Sequence, residues 1–125
     1  MLKRILFGVL SLLILFSCYE PSRICQDYKT GEFIFNYKIG DSLKQGRFVR
    51  GEKFSIDYYD SKIDSASIRW LNDCEFVLQD LKSKVGIHYK IIQTTDSSYT
   101  FEYKNAVKDP NRKNNVKIGT AYKVD

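Results

Sequence analysis

The sequence has few of the residues from which catalytic and metal sites are usually built. It contains one histidine, His88, and three cysteines, none in a Cys-x-x-Cys pair or beside the histidine. This set supplies neither zinc-ligand spacing nor the nucleophile–base pair of a hydrolase. No glycine-rich phosphate loop is present. The sequence therefore predicts no metal, no cofactor and no catalytic role, with His88 interpreted as an exposed or edge-packed side chain.

Asp57, Asp60 and Asp64 are the nearest approach to a cation site. Their spacing is not that of a calcium-binding loop, and the glycine and terminal glutamate of such a loop are absent. We interpret them as solvated carboxylates around a turn.

Blocks of one charge sign are also missing. The formal net charge of +5 includes Lys3 and Arg4 of the N-terminal segment, and the remaining acidic and basic residues are interspersed. Mixed charge of this kind is typical of a solvated surface, so we expect no nucleic-acid partner.

The N-terminal segment has the features of an export signal. Lys3 and Arg4 precede a mostly apolar run over residues 5–16, too short to span a bilayer but long enough for a signal peptide. Residues 15–18, Leu-Phe-Ser-Cys, resemble a bacterial lipobox, which implies cleavage before Cys18 and lipidation of that cysteine. The alternative is an ordinary signal peptide or a single membrane anchor.

This interpretation divides the chain into three parts and gives it a location. Residues 1–17 are a signal peptide that forms a helix, residues 18–27 a lipidated tether, and residues 28–125 one domain. We expect the protein to be anchored by lipid in the cell envelope, at the outer membrane on its periplasmic or surface side.

Cys25 and Cys74 remain as an even pair once Cys18 is assigned to lipid. An exported domain lies where disulfides persist, and a bridge between them stabilises a small core by about 4 kcal/mol on the chain-entropy argument. We favour this disulfide; two free thiols or one catalytic thiol are the alternatives.

The domain shows a hydrophobic period of two, which is typical of β-strands. Inward faces are predicted on most runs, including Phe54, Ile56 and Tyr58 on the third, and Gly46 is read as a bulge. The runs are residues 33–37, 44–50, 54–58, 66–70, 74–78, 87–91, 99–103 and 116–122.

Eight short strands joined by short turns favour an all-β, antiparallel meander closed into a small barrel; a two-sheet sandwich is the alternative. Nine tyrosines, eight phenylalanines and one tryptophan fall mostly on the predicted inner positions. We expect them to fill most of the interior, with a partial pocket at one mouth as the alternative.

Four segments carry a resemblance to a known family: residues 25–33, 67–76, 87–91 and 99–101. Together they resemble a family of short, uncharacterised lipoproteins and exported proteins from the Bacteroidota. Some members bear a DNA topoisomerase label, which this short chain without a gyrase-like motif does not support. The architecture is also similar to that of lipocalins, with Gly31-Glu32-Phe33 where lipocalins have Gly-x-Trp.

The resemblance implies no activity, so function is inferred from the predicted barrel. We expect a binding module for a small apolar or amphipathic ligand, held by Phe35, Tyr58, Trp70 and Phe101. The alternative is an accessory subunit that binds another envelope protein through the basic loop Lys104–Lys117.

Overall fold

The structure, a computed structural model, describes residues 23–107 and 115–124. The predicted signal helix, Cys18 and the middle of the basic loop lie outside the described residues. The described chain forms a short 3₁₀ helix, Cys25–Tyr28, followed by eight antiparallel strands. These are β1 Gly31–Ile39, β2 Ser42–Arg50, β3 Phe54–Tyr59, β4 Lys62–Asn72, β5 Glu75–Asp80, β6 Gly86–Thr94, β7 Ser98–Asn105 and β8 Lys117–Val124.

Each strand pairs with the next, and β8 pairs back with β1, so the sheet is a closed barrel in meander order. The predicted all-β fold with eight strands and barrel closure is confirmed. The closing pairs are few: Glu32 to Ile34 of β1 lie opposite Val124 to Tyr122 of β8. These pairs cover part of the edges of the two terminal strands, and unpaired strand edges otherwise invite aggregation.

The predicted period-two faces hold on most strands but not on β3. Arg50 and Phe48 of β2 lie directly opposite Ser55 and Asp57 of β3. Since Phe48 points into the barrel, Ser55 and Asp57 do too. The predicted inward face of β3 was wrong, and Tyr58 faces outward.

The predicted bulge at Gly46 was also wrong. Gly46 pairs in regular register with Phe35, whereas the register shifts occur between Trp70 and Asn72 on β4 and between Ile91 and Gln93 on β6. A Cβ atom on Gly46 would overlap the Phe35 ring. The glycine therefore makes room for an aromatic ring of the neighbouring strand.

The two ends of the barrel are built differently. At the closed end, where β1 begins and β2 ends, Cys25 and Tyr28 of the 3₁₀ helix are buried against the barrel interior. The predicted Cys25–Cys74 disulfide is confirmed, with a Cα–Cα distance of 5.3 Å, and it joins this helix to the β4–β5 turn. The open end carries the β1–β2 and β3–β4 turns and lacks such a cover among the described residues.

The closed end is a packed aromatic core. Phe33 and Phe76 are fully buried, the Phe33 and Phe48 rings stack at 4.9 Å, and Phe33 meets Tyr99 edge-on at 5.6 Å. Each such aromatic pair stabilises the fold by about 0.5–1.5 kcal/mol beyond the burial of its area.

Candidate functional site

A two-chambered cavity occupies the open half of the barrel. The inner chamber, of about 300 Å³, reaches down to Phe48 and Arg50; the outer chamber, of about 620 Å³, is lined by Tyr59, Asp64 and Ala66. Six residues line both chambers, so the two adjoin: Phe35, Tyr37, Asp57, Leu78, Tyr89 and Tyr103. The interior is thus filled by side chains at the closed end only. The open end has a pocket, which was the alternative to a mostly filled interior.

The wall of the cavity is mainly aromatic. Tyr89 stacks on Phe76 of the closed-end core, with ring centroids 5.0 Å apart, and on Tyr103 at 5.8 Å. Opposite Phe101, Gly119 leaves the space for its ring, because a Cβ there would lie 2.7 Å from the ring. These rings are held by their neighbours, so the wall is preformed.

Arg50 forms the floor of the inner chamber. Its side chain lies in the barrel interior with only 4% of its surface exposed. The two terminal nitrogens of the guanidinium donate hydrogen bonds, Nη1 to the Tyr28 carbonyl at 2.9 Å and Nη2 to the Tyr99 hydroxyl at 2.6 Å. Both bonds hold the guanidinium in one orientation.

Five aromatic rings surround the same guanidinium, with the central carbon 4.5–5.9 Å from their centroids. They belong to Phe33, Phe48, Trp70, Phe76 and Tyr99. Cation–π attraction strengthens when the cation is desolvated, so the rings offset part of the cost of burying the charge. None of the ion pairs within 4.0 Å among the described residues includes Arg50.

Ser55 and Asp57 present polar groups on the opposite side of the floor. Ser55 is 1% exposed. Within the described part of the chain, its Oγ and the Nε of Arg50 are buried without a hydrogen-bond partner. Such groups are rare in folded proteins and each calls for an explanation.

Burial raises the pKa of Asp57 to about 6, and the Asp64 carboxylate adds to this rise, while the positive charge of Arg50 and the nearby Ser55 hydroxyl oppose it. Desolvation is the largest of these effects because it penalises the charged carboxylate. The interpretation of Asp57 as a solvated turn carboxylate was therefore wrong, since the residue lies inside the barrel.

Two further carboxylates lie at the open end. Asp64 accepts a hydrogen bond from the Tyr59 hydroxyl, which raises the tyrosine pKa to about 12. Asp80 accepts bonds from the backbone N–H groups of Lys82 and Ser83, both at 2.8 Å, and these bonds lower its pKa. The lining of the outer chamber contains these acids with Asp57 and no lysine or arginine among the described residues.

A side opening leads to the inner chamber between β1 and β8. The two strands pair only along Glu32–Ile34, and beyond this point Asn36 of β1 and Thr120 of β8 line the chamber without pairing. Both side chains are neutral. The described residues thus leave a second way into the cavity that does not pass the carboxylates of the open end.

The structure distributes the four predicted ligand residues over three places. Phe35 and Phe101 line the inner chamber. Trp70 packs against Phe76 at the closed end, with ring centroids 4.6 Å apart. Tyr58 lies on the outer surface beneath Arg47, whose guanidinium carbon is 4.3 Å from its ring centroid, and it lines neither chamber.

The remaining predicted features lie away from the cavity. His88 is on the outer wall, where Nε2 lies 3.2 Å from a carboxylate oxygen of Glu75. Within residues 23–107 and 115–124, no group of three or more His, Cys, Asp or Glu side chains is arranged to hold a metal ion. Nor does any helix in the same residues have the length and hydropathy needed to cross a membrane.

Sequence reasoning missed Arg50, Ser55 and Asp57. The sequence did contain a signal for Arg50. Side chains two residues apart on a strand lie on the same face, so a strand that places Phe48 inside the barrel also places Arg50 inside. For Ser55 and Asp57 the hydrophobic pattern indicated the wrong face, because the neighbouring Phe54 and Ile56 are more apolar and were predicted to face inward.

Comparisons of the chain with family models, with curated proteins and with solved structures give no match. Membership of the lipoprotein family that the sequence resembles stays a prediction. The site itself must therefore carry the functional argument.

Proposed function

We propose that this protein is a non-catalytic binding module of the cell envelope that holds one small apolar or amphipathic ligand inside its barrel. The observation that carries the proposal is the cavity of two adjoining chambers with its preformed aromatic wall. Its chambers fall within the volume range of about 300–1,000 Å³ that is typical of small-molecule sites.

The chemistry of the wall favours a ligand that is largely apolar. Phe35, Leu78 and Phe101 offer apolar surface, while Tyr89 and Tyr103 add rings with a polar edge. Burial of apolar ligand surface here would stabilise the complex by about 25 cal/mol for each Å² removed from water. A few polar groups at one position of such a wall typically fix the orientation of the ligand, and Arg50 with Ser55 fills that role.

The absence of a catalytic role is part of the proposal and rests on the position of the only histidine. His88 points away from the cavity and faces Glu75 on the outer wall. A general base must lie within hydrogen-bond reach of the proton that it removes, and a ligand in the barrel is out of that reach.

The proposal includes a lipid anchor at Cys18 and places the binding site away from the membrane. The described chain starts at the closed end, where Arg23 Nη1 donates to the Ile91 carbonyl at 3.4 Å and the Ile24 N–H to Thr94 Oγ1 at 2.8 Å. Four residues separate Cys18 from Arg23, so the five Cα–Cα steps between them span at most about 18 Å. An anchor of this length keeps the closed end near the bilayer and the open end facing outward.

Native mass spectrometry of the protein gently extracted from its own envelope tests this proposal. We expect the lipidated chain with an additional small-molecule mass. A second polypeptide in its place would favour the accessory-subunit alternative, and an unlipidated chain would remove the anchor.

A matched pair of variants tests whether the ligand occupies the cavity. Ala66→Phe fills part of the outer chamber, whereas Ser67→Phe adds the same ring to the next residue of β4, which lies opposite the exposed Phe54. We expect Ala66→Phe to lose the fluorescence enhancement of a neutral apolar probe, N-phenyl-1-naphthylamine, and Ser67→Phe to retain it. Equal probe binding by the two variants would overturn the cavity as the site.

A further inference from the structure

The floor of the inner chamber holds two buried polar atoms without a partner among the described residues: Arg50 Nε and Ser55 Oγ. The two residues lie directly opposite each other on β2 and β3, and both line the cavity. Side chains so paired have Cβ atoms about 4.5–5.5 Å apart, close enough for one small group to contact both.

The type of these atoms restricts what can satisfy them. The Nε of arginine only donates hydrogen bonds, and a serine hydroxyl can donate one as well. Nη1 and Nη2 of the guanidinium each already donate one bond, to Tyr28 and Tyr99. Nε–H of Arg50 and the hydroxyl of Ser55 are left without an acceptor among the described residues, and a group with two oxygens can accept one bond from each.

The charge of the floor points to an anion. Arg50 is buried and forms no ion pair within 4.0 Å among the described residues. Asp57 lies two residues from Ser55 and interacts with the arginine electrostatically, yet it does not pair with it. Arg50 attracts a group with a single negative charge, whereas a doubly charged group such as a phosphate would meet stronger repulsion from the Asp57 carboxylate.

We propose that Arg50 and Ser55 bind the carboxylate of a monocarboxylic acid whose apolar tail lies in the aromatic cavity. This inference rests on the proposed binding function and names the chemical class of its ligand. Each carboxylate oxygen accepts one hydrogen bond, one from Arg50 Nε and one from Ser55 Oγ. The tail extends from the floor between Phe35, Leu78 and Phe101.

The side opening between β1 and β8 suits this ligand. A carboxylate that entered through the open end would pass Asp64 and Asp80. Between β1 and β8 it meets the neutral side chains of Asn36 and Thr120 before it reaches Arg50.

Titration calorimetry with two ligands that share a tail isolates the contribution of the head group. Decanoate carries the carboxylate and decanol a neutral hydroxyl. We expect the folded protein to bind decanoate at least about tenfold more tightly, since hydrogen bonds to charged groups are roughly twice as strong as neutral ones. Equal affinity for the two compounds would overturn the proposal.

Variants assign the preference to the two residues. Ser55→Ala removes only the hydroxyl and should weaken decanoate binding about threefold to tenfold, and decanol binding by a smaller factor. Arg50→Met should abolish the preference for decanoate. If Arg50→Met does not fold, Ser55→Ala and the ligand pair decide the outcome, and an equal loss of affinity for both ligands in Ser55→Ala counts against a carboxylate site.

Binding of the neutral probe N-phenyl-1-naphthylamine distinguishes a failure of the carboxylate site from a failure of the proposed binding function as a whole. If the probe binds but decanoate and decanol bind equally, the cavity is a binding site without a carboxylate subsite, and Arg50 and Ser55 serve only the fold with bridging water. If the probe, decanoate and decanol all fail to bind, the proposed binding function fails as well.

Discussion

The two halves of this barrel are made from the same eight strands, yet one is solid and the other hollow. Phe33 and Phe35 show the difference two residues apart on β1: Phe33 is fully buried among other rings, whereas Phe35 borders the cavity. The closed half also contains the 3₁₀ helix, with Cys25 and Tyr28 buried, and the disulfide, and neither has a counterpart among the described residues of the open half.

Residue size accounts for part of the difference. At the closed end, large side chains from neighbouring strands meet, as Phe33 meets Phe48 and Trp70 meets Phe76. In the open half, glycines lie opposite two of the large rings: Gly46 opposes Phe35 and Gly119 opposes Phe101. An eight-stranded barrel is just wide enough to be filled by side chains, so replacing large residues with small ones leaves room for a ligand.

Polarity separates the halves as well. The closed half buries one charge, Arg50, within aromatic rings, while the carboxylates of Asp57, Asp64 and Asp80 line the open half. The comparison indicates that close packing is concentrated at the end where the chain enters the barrel, while the proposed ligand site lies in the other half.

The largest expected effect comes from removing equivalent rings in the two halves. Phe33→Ala should lower the free energy of unfolding by about 3–5 kcal/mol, because it leaves a cavity in a tightly packed region. Phe35→Ala should cost less than half of that, since its ring already borders empty space. Equilibrium urea unfolding of both variants measures the difference, and equal losses would contradict the division into halves.

A somewhat smaller effect is expected from the disulfide. The double variant Cys25→Ser with Cys74→Ser should lose about 3–4 kcal/mol, because the bond closes a loop with a sequence separation of 49. Thermal unfolding with and without a reducing agent measures this loss. Reduction should lower the Tm of the wild-type protein to that of the double variant, and a wild-type Tm insensitive to reduction would contradict the role of the bond.

The smallest expected effect concerns the charge in the open half. Because burial raises the pKa of Asp57 from 3.8 to about 6, the folded protein holds this proton more tightly than the unfolded chain. Stability from this group is fully present below about pH 4 and is lost as the pH rises through about 6. Asp57→Asn should therefore unfold with a free energy about 1–3 kcal/mol higher than wild type at pH 7, and close to wild type at pH 4.

Urea unfolding at several pH values checks this prediction, with Asp60→Asn as the control. Asp60 is exposed and pairs with Lys44 at 3.3 Å, so its replacement should change stability by about 1 kcal/mol or less. If Asp57→Asn were less stable than wild type at pH 7, the attraction between Asp57 and Arg50 would outweigh the cost of burial.

Much of the scaffold follows from local pattern. Alternating aromatic residues such as Phe33, Phe35 and Tyr37 predict strands with one apolar face, and short turns between them predict a meander. The even pair of cysteines in an exported domain predicts the disulfide. These features depend on neighbours in the sequence, so the sequence alone determined the fold class, the bridge and two of the wall residues, Phe35 and Phe101.

The site was decided by tertiary structure. A period of two defines two faces of a strand without stating which face is inside, and a shift of one residue exchanges them. On β3 the pairing of Ser55 with Arg50 places the more polar face inside and leaves Tyr58 on the surface under Arg47. That choice creates the polar floor of the cavity, and it depends on how β2 and β3 pair across the barrel wall, which the pattern of either strand does not contain.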